Sequence, residues 1–114
     1  MAECLFCAIV AGEIPATTVL ETDRIRAFRD IDPQAPTHVL VIPKTHFADV
    51  AALAAADAAL LGEVIGVVQQ VAAAEAVAET GYRVVFNTGA EAGQAVPHVH
   101  GHLLGGRFLT WPPG

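Results

Sequence analysis

The segment PHVHGHLLGG, Pro97 to Gly106, carries His98, His100 and His102 at alternate positions, three of the five histidines in 114 residues. In an extended segment successive side chains point to opposite faces, so the three imidazoles share one face and Val99, Gly101 and Leu103 the other. A lone histidine on an apolar strand is ordinarily a hydrogen-bonded or surface group. Three in register gain nothing in packing, and they mark a functional face. Imidazole offers three chemistries there: metal ligation, proton transfer and nucleophilic attack. At ~3.3 Å per residue, His98 and His102 lie about 13 Å apart. One ion with bonds of ~2.1 Å reaches two neighbours of such a row but hardly all three. The three must divide their labour.

A second pair of reactive side chains stands at the N-terminus, where Cys4 and Cys7 form CxxC. The leading stretch MAECLFCAIVAGEIP has no basic region and carries Glu3, which makes it a poor export signal. Reduced thiols and a cytoplasmic location are therefore expected, with the cysteines either half a metal site or a redox pair.

The elements that must position these groups read as α+β, a mainly antiparallel sheet with one long helix and a short N-terminal helix packed on it. Leu5 to Ala11 has Leu5, Phe6 and Ile9 on one helical face and ends near Gly12. TTVLET and RIRAFRD flank Asp23 as a hairpin, DPQAPT is a loop, and HVLVIP is a buried strand stopped by Pro43. From about Ala54 to Glu79, Leu60, Leu61, Val64, Val67, Val68 and Val71 recur at helical spacing up to Gly81. YRVVFN is the next strand, TGAEAGQAVP a glycine-containing connection, and HVHGHLLGG the last strand.

Length and composition bound the rest. A chain of 114 residues fits one domain, residues 1–114, and 54% apolar residues exclude disorder. Six Lys+Arg against twelve Asp+Glu give a net charge of -6. No basic stripe exists, so a nucleic-acid polymer is not an expected partner. Neither is a membrane, since the longest uncharged run of the alanine-rich middle, 64–74, is far below the ~18 residues of a span. A bound anion must be held by local groups, because the global field opposes it. The glycines of GAEAGQAVP allow that, since they let backbone N–H groups approach a phosphate.

HVHGHLL resembles the signature of the histidine triad superfamily of nucleotide hydrolases and transferases. GEIPA, RDIDPQAPTHVLVIPKTH, NTGAEAGQ and LLGG with WPPG are similar to its Hint branch, the histidine triad nucleotide-binding proteins. The resemblance implies hydrolysis of purine nucleoside 5′-phosphoramidates through a covalent nucleotidyl-histidine, with a purine mononucleotide or phosphoramidate as the bound partner, a homodimeric assembly and no organic cofactor. Two other readings are a dinucleoside polyphosphate hydrolase, which the Hint-like C-terminus disfavours, and a non-enzymatic nucleotide-binding or adaptor protein.

By the same resemblance His100 is the nucleophile, with one ring nitrogen held by the backbone carbonyl of His98. His102 donates to a phosphate oxygen, and His38 in PTHVLV supports the pair. Asn87, Gly93, Gln94 and Val96 surround the phosphate and Asp30 accepts the ribose hydroxyls. Leu5, Phe6, Ile9, Phe28, Ile31 and Leu40 wall the purine slot, and Trp111 reaches toward a neighbouring subunit. Read without the family, Asp30 is equally a turn aspartate and the apolar set ordinary core. Relatives that keep CxxC bind zinc, which implies a structural site of Cys4, Cys7, His46 and His98. Two departures stand out. Ala95 occupies a position that is commonly serine, near the leaving group. Gly101 replaces a bulky apolar residue, so weaker packing is expected behind the triad strand.

Overall fold

A computed structural model describes residues 4–114. Its helices and strands run, in chain order, α1 (Leu5–Val10), β1 (Thr18–Glu21), β2 (Ile25–Arg29), β3 (Thr37–Pro43), α2 (Val50–Ala56), α3 (Ala58–Ala74), β4 (Tyr82–Val85) and β5 (Gly101–Gly105). The five strands make one sheet in the order β1-β2-β3-β5-β4, and every neighbouring pair is antiparallel. The architecture is α+β, as the patterning indicates.

Strand β3 is buried at all seven positions, so its alternation serves two cores. Val39 and Val41 join Ile25, Ala27, Val99 and Leu103 against Leu60, Val64, Val67, Val68 and Val71 of α3. That helical set follows the i, i+4, i+7, i+8 spacing of one stripe. On the other face Leu40 and Ile42 meet Phe28 of β2 and Phe6 and Ile9 of α1. The register pairs Leu40 with His102, which puts His102 on the α1 face.

The single helix expected over Ala54–Glu79 is two helices. Asp57 breaks them: its backbone leaves the helical region, and its carboxylate accepts from the Leu60 N–H at 3.0 Å, an N-cap bond that competes with helix continuation. Asp49 caps α2 the same way through the Ala52 N–H, so that helix begins four residues earlier than expected. The C-terminal end also comes early. Ala76 takes a positive φ of 61°, and the N–H groups of Ala76 and Val77 bond back to the carbonyls of Ala73 and Ala72, a Schellman closure built without glycine.

The last strand begins at Gly101 rather than His98. Residues 98–100 are buried but irregular, because the Val99 N–H is taken by the carbonyl of Phe47 (2.7 Å) instead of a strand neighbour. The division of faces survives: Val99 and Leu103 lie in the α3 core and the three histidines do not. Packing behind Gly101 is not weakened. A Cβ there would stand 2.9 Å from Cζ of Phe86, so that ring fills the space a side chain would have used.

Candidate active site and metal cluster

The three histidines occupy distinct environments. His100 is buried, and its Nδ1–H donates to the carbonyl of His98 at 2.7 Å. That bond fixes the proton on Nδ1 and leaves the Nε2 lone pair unprotonated. The ring stands edge-on to Phe6 with centroids 5.0 Å apart. Burial holds the His100 imidazolium below the usual histidine range, so the ring is neutral near pH 7.

His102 is held from behind by His38. The Gln34 N–H donates to His38 Nδ1 at 3.0 Å, so that nitrogen presents a lone pair. The His38 proton therefore sits on Nε2, which faces His102 Nδ1 at 2.9 Å and Asp30 Oδ2 at 3.4 Å, both acceptors. His102 accepts at Nδ1 and carries its own proton on Nε2. Burial, then the neighbouring His100 and His38, push His102 down to about 4, and burial also lowers His38. Asp30, His38 and His102 are close enough to hold a cation. With the lone pair at His38 Nδ1 already engaged, ligation through Nε2 would require an imidazolate, so the trio reads as a hydrogen-bond relay.

His100 and His102 open onto a cleft of about 580 Å³, lined also by Leu5, Phe6, Ile9, Phe28, Asp30, Ile31, Leu40 and Val96 among others. The apolar walls come from α1 and the outer face of β2 and β3. Ile31 is wholly exposed at the rim, whereas Phe6, Phe28 and Leu40 double as core. Asp30 accepts from the Asp32 N–H through Oδ1, an Asx turn that fixes its carboxylate at the cleft wall.

Of the residues expected around a phosphate, Val96 lines the cleft, while Asn87, Gly93 and Gln94 are not among its walls. Gln94 uses its amide to tie its own loop to the segment before α2. Its Nε2 donates to the carbonyls of Ala48 (2.7 Å) and Val96 (3.1 Å), and its Oε1 accepts from the Gly89 N–H. These bonds let it shape the connection between β4 and the triad segment. Trp111 is also outside the cleft, 78% exposed and stacked 5.9 Å from the Arg83 guanidinium. Ala95 lines it, bringing no hydroxyl. Ile14, Pro15, Ala16, Thr17 and Arg29 complete the wall. None of the five was singled out from sequence; Thr17 and Arg29 enter through the β1–β2 pairing, where the Arg29 N–H donates to the Thr17 carbonyl.

His98 faces away from this relay, into the CxxC. Its Nε2–H donates to the Pro43 carbonyl at 2.9 Å, leaving Nδ1 free at 3.4 Å from Cys4 Sγ, 3.5 Å from Cys7 Sγ and 3.2 Å from His46 Nδ1. Cys7 Sγ and His46 Nδ1 are 3.5 Å apart. A tetrahedral ion with bonds of about 2.0–2.3 Å has ligand–ligand edges of roughly 3.3–3.8 Å, so the donor set fits zinc. Both thiols are free, and both sit on the first turn of α1, where Cys4 Sγ also caps the Cys7 N–H.

The family described as HIT domain matches residues 11–109. The chain belongs to the HIT-domain family. It is 54% identical to a HIT family hydrolase from Legionella pneumophila whose crystal structure superposes with a TM-score of 0.95, covering 98% of this chain and 100% of that one. The purine nucleoside phosphoramidase of Escherichia coli is 46% identical over 107 residues, 94% of this chain and 90% of that protein. A 14 kDa zinc-binding protein of Zea mays is 48% identical over 113 residues, 96% and 87% of the two chains. In this HIT protein no helix among the described residues is long and apolar enough to cross a membrane.

Proposed function

We propose that this HIT protein hydrolyses purine nucleoside 5′-phosphoramidates through a covalent nucleotidyl intermediate on His100. The observation that carries the reading is the 2.7 Å bond from His100 Nδ1–H to the His98 carbonyl, because it aims an unprotonated Nε2 at the cleft. A neutral, oriented imidazole is a competent nucleophile toward phosphorus. Nε2 attacks, the phosphorus–nitrogen bond breaks, and the amine departs with a proton taken from solvent water. Water then cleaves the new phosphorus–Nε2 bond, releasing the nucleoside monophosphate and restoring His100. His102 Nε2–H donates to a non-bridging phosphate oxygen, where negative charge builds. Asp30 accepts from the ribose hydroxyls, and the apolar walls hold the base.

His98 serves this site through its carbonyl, while its ring belongs to the cysteine cluster. There a structural zinc, with all four positions filled by Cys4, Cys7, His46 and His98, would tie α1 to the triad segment. The zinc-binding relative and the donor spacing support it. The phosphoramidase relative supports the substrate class. The protein acts in the cytoplasm as a homodimer, and the exposure of Phe108 (97%) and Trp111 is consistent with a neighbouring copy over that tail.

A fluorogenic adenosine phosphoramidate assay tests the reading, run beside calorimetry with AMP. Wild type should turn over, and His100→Ala should lose turnover yet bind AMP with similar affinity. Turnover of the variant at the wild-type rate would remove His100 from the chemistry. Binding without turnover by wild type would leave a nucleotide-binding module instead of an enzyme.

A further inference from the structure

Past the end of β5, Arg107 reaches back across the molecule to the loop before β3. Its Nε and Nη2 both donate to the carbonyl of Gln34, at 3.2 and 2.9 Å, and Nη1 donates to the Phe108 carbonyl. Gln34 is the residue whose N–H fixes the His38 ring. The two backbone groups of Gln34 thus tie Arg107 on one side to His38 on the other. His102 closes the circuit, because it bonds His38 and lies on the strand that leads into Arg107. Gly106 (φ +90°) makes the closure possible: a Cβ there would meet Pro36 at 2.9 Å, so the segment approaches the loop too closely for any other residue.

We infer that Arg107 is a positioning residue that sets the tautomers of the His38–His102 pair by holding Gln34 in place. The inference rests on the reading of His102 as the phosphate donor. Without the clamp, Gln34, exposed between Pro33 and the buried Ala35, can turn its N–H away from His38. His38 Nδ1 then gains access to a proton, only Asp30 Oδ2, 3.4 Å away, still favours the proton on Nε2, and the ring no longer strictly enforces acceptance at His102 Nδ1. His102 in turn samples the form with its proton on Nδ1, which offers nothing to a phosphate oxygen. Proline residues 33 and 36 stiffen the loop on either side, but neither can supply the lost anchor. The apolar walls on α1, β2 and the residues before β1 lie away from the clamp, and Asp30, which adjoins the loop, is held by its own bond from the Asp32 N–H, so substrate binding should persist.

Protein labelled with nitrogen-15 at histidine reports each ring tautomer directly through long-range proton–nitrogen correlations. In wild type, His38 and His102 should each show a single form protonated on Nε2. Arg107→Met keeps the aliphatic stem and deletes the donors; it should convert both signatures to mixtures. It should also lower kcat about tenfold, the scale of a lost orienting partner, with KM within about twofold. Arg107→Lys retains a donor for Gln34 and should recover most of both. Unchanged ring signals at His38 and His102 in folded Arg107→Met would overturn the assignment. Should wild type prove not to hydrolyse phosphoramidates, the functional reading falls alone, and the ring signals still decide for or against Arg107.

Discussion

Phe86 occupies the volume that residue 101 leaves empty: its Cζ and Cε1 lie 2.9 and 3.1 Å from where a Gly101 Cβ would be. Ring and glycine are therefore a matched pair beneath the segment that carries His100 and His102. Gly101→Val should destabilise the fold by about 1–3 kcal/mol, the usual cost of overpacking. Phe86→Ala should also destabilise, by leaving a gap. The double variant should lose less than the sum of the two, because each change relieves the other. Urea denaturation of the four proteins measures the coupling, and strict additivity would mean that Phe86 is not what the glycine accommodates.

Ala95 stands in the cleft wall where a hydroxyl would be able to help a departing amine take up its proton. Ala95→Ser should raise turnover, most for amines that leave poorly. A well-placed general acid commonly contributes ~10²-fold or more. A series of phosphoramidates differing in amine basicity would reveal it as a shallower dependence on the leaving group. Equal rates across the series would show that the proton comes from elsewhere.

Metal removal should act on stability first. Cys4 and His98 are 94 residues apart in sequence, and a shared ion would cross-link them. Purified protein should contain one zinc per chain by mass spectrometry. Chelation should lower the melting temperature by ~10 °C or more, corresponding to a few kcal/mol, and Cys4→Ser should mimic it. Metal-free protein that melts at the same temperature with both thiols reduced would return the cysteines to ordinary packing.

Acid should destabilise the fold over a defined window. His102 titrates near 4 when folded against an ordinary value of 6.5, and His38 is lowered in the same direction. Between those limits the unfolded chain binds more protons than the folded one, so stability is full above pH 6.5 and falls as the pH drops toward 4. Below about 4 the folded ring also protonates and the His102 contribution stops changing. The loss from His102 alone is on the order of 3 kcal/mol. His102→Gln should flatten this acid limb in denaturant titrations at stepped pH; an unaltered limb would mean that other groups control it.

Much of this molecule is legible from local pattern. The continuous apolar run HVLVIP and the apolar stripe of the long helix are signals that neighbouring residues carry by themselves, and the structure follows both. The CxxC and the histidine row likewise advertise their chemistry by spacing. What escapes is set by contacts distant in sequence. The Val99 N–H pairs with Phe47, which delays β5, and nothing in HVHGH announces Phe47. Gly101 looks like a packing defect until Phe86, fifteen residues earlier, is brought against it. The break at Asp57 was readable in principle, since Asp57 and Leu60 stand at N-cap spacing, but the unbroken alanine periodicity masks it. Gln34 and Arg107 are ordinary loop residues until their backbone and guanidinium groups are seen to meet.

The strand order β1-β2-β3-β5-β4 has a consequence for how the chain is made. As the polypeptide leaves the ribosome, β1, β2 and β3 can pair in succession, but β3 then presents a bare edge. Strand β4 follows with no partner in the sheet, since it bonds only to β5. The segment that closes both edges is the last of these five strands to be synthesised; it carries His102, and His98 and His100 stand just before it. Nascent chains that lack β5 therefore expose two unpaired strand edges, the kind of surface that invites association between chains. The same strand that completes the sheet completes the cleft, so chains stalled before it have neither a closed fold nor His102.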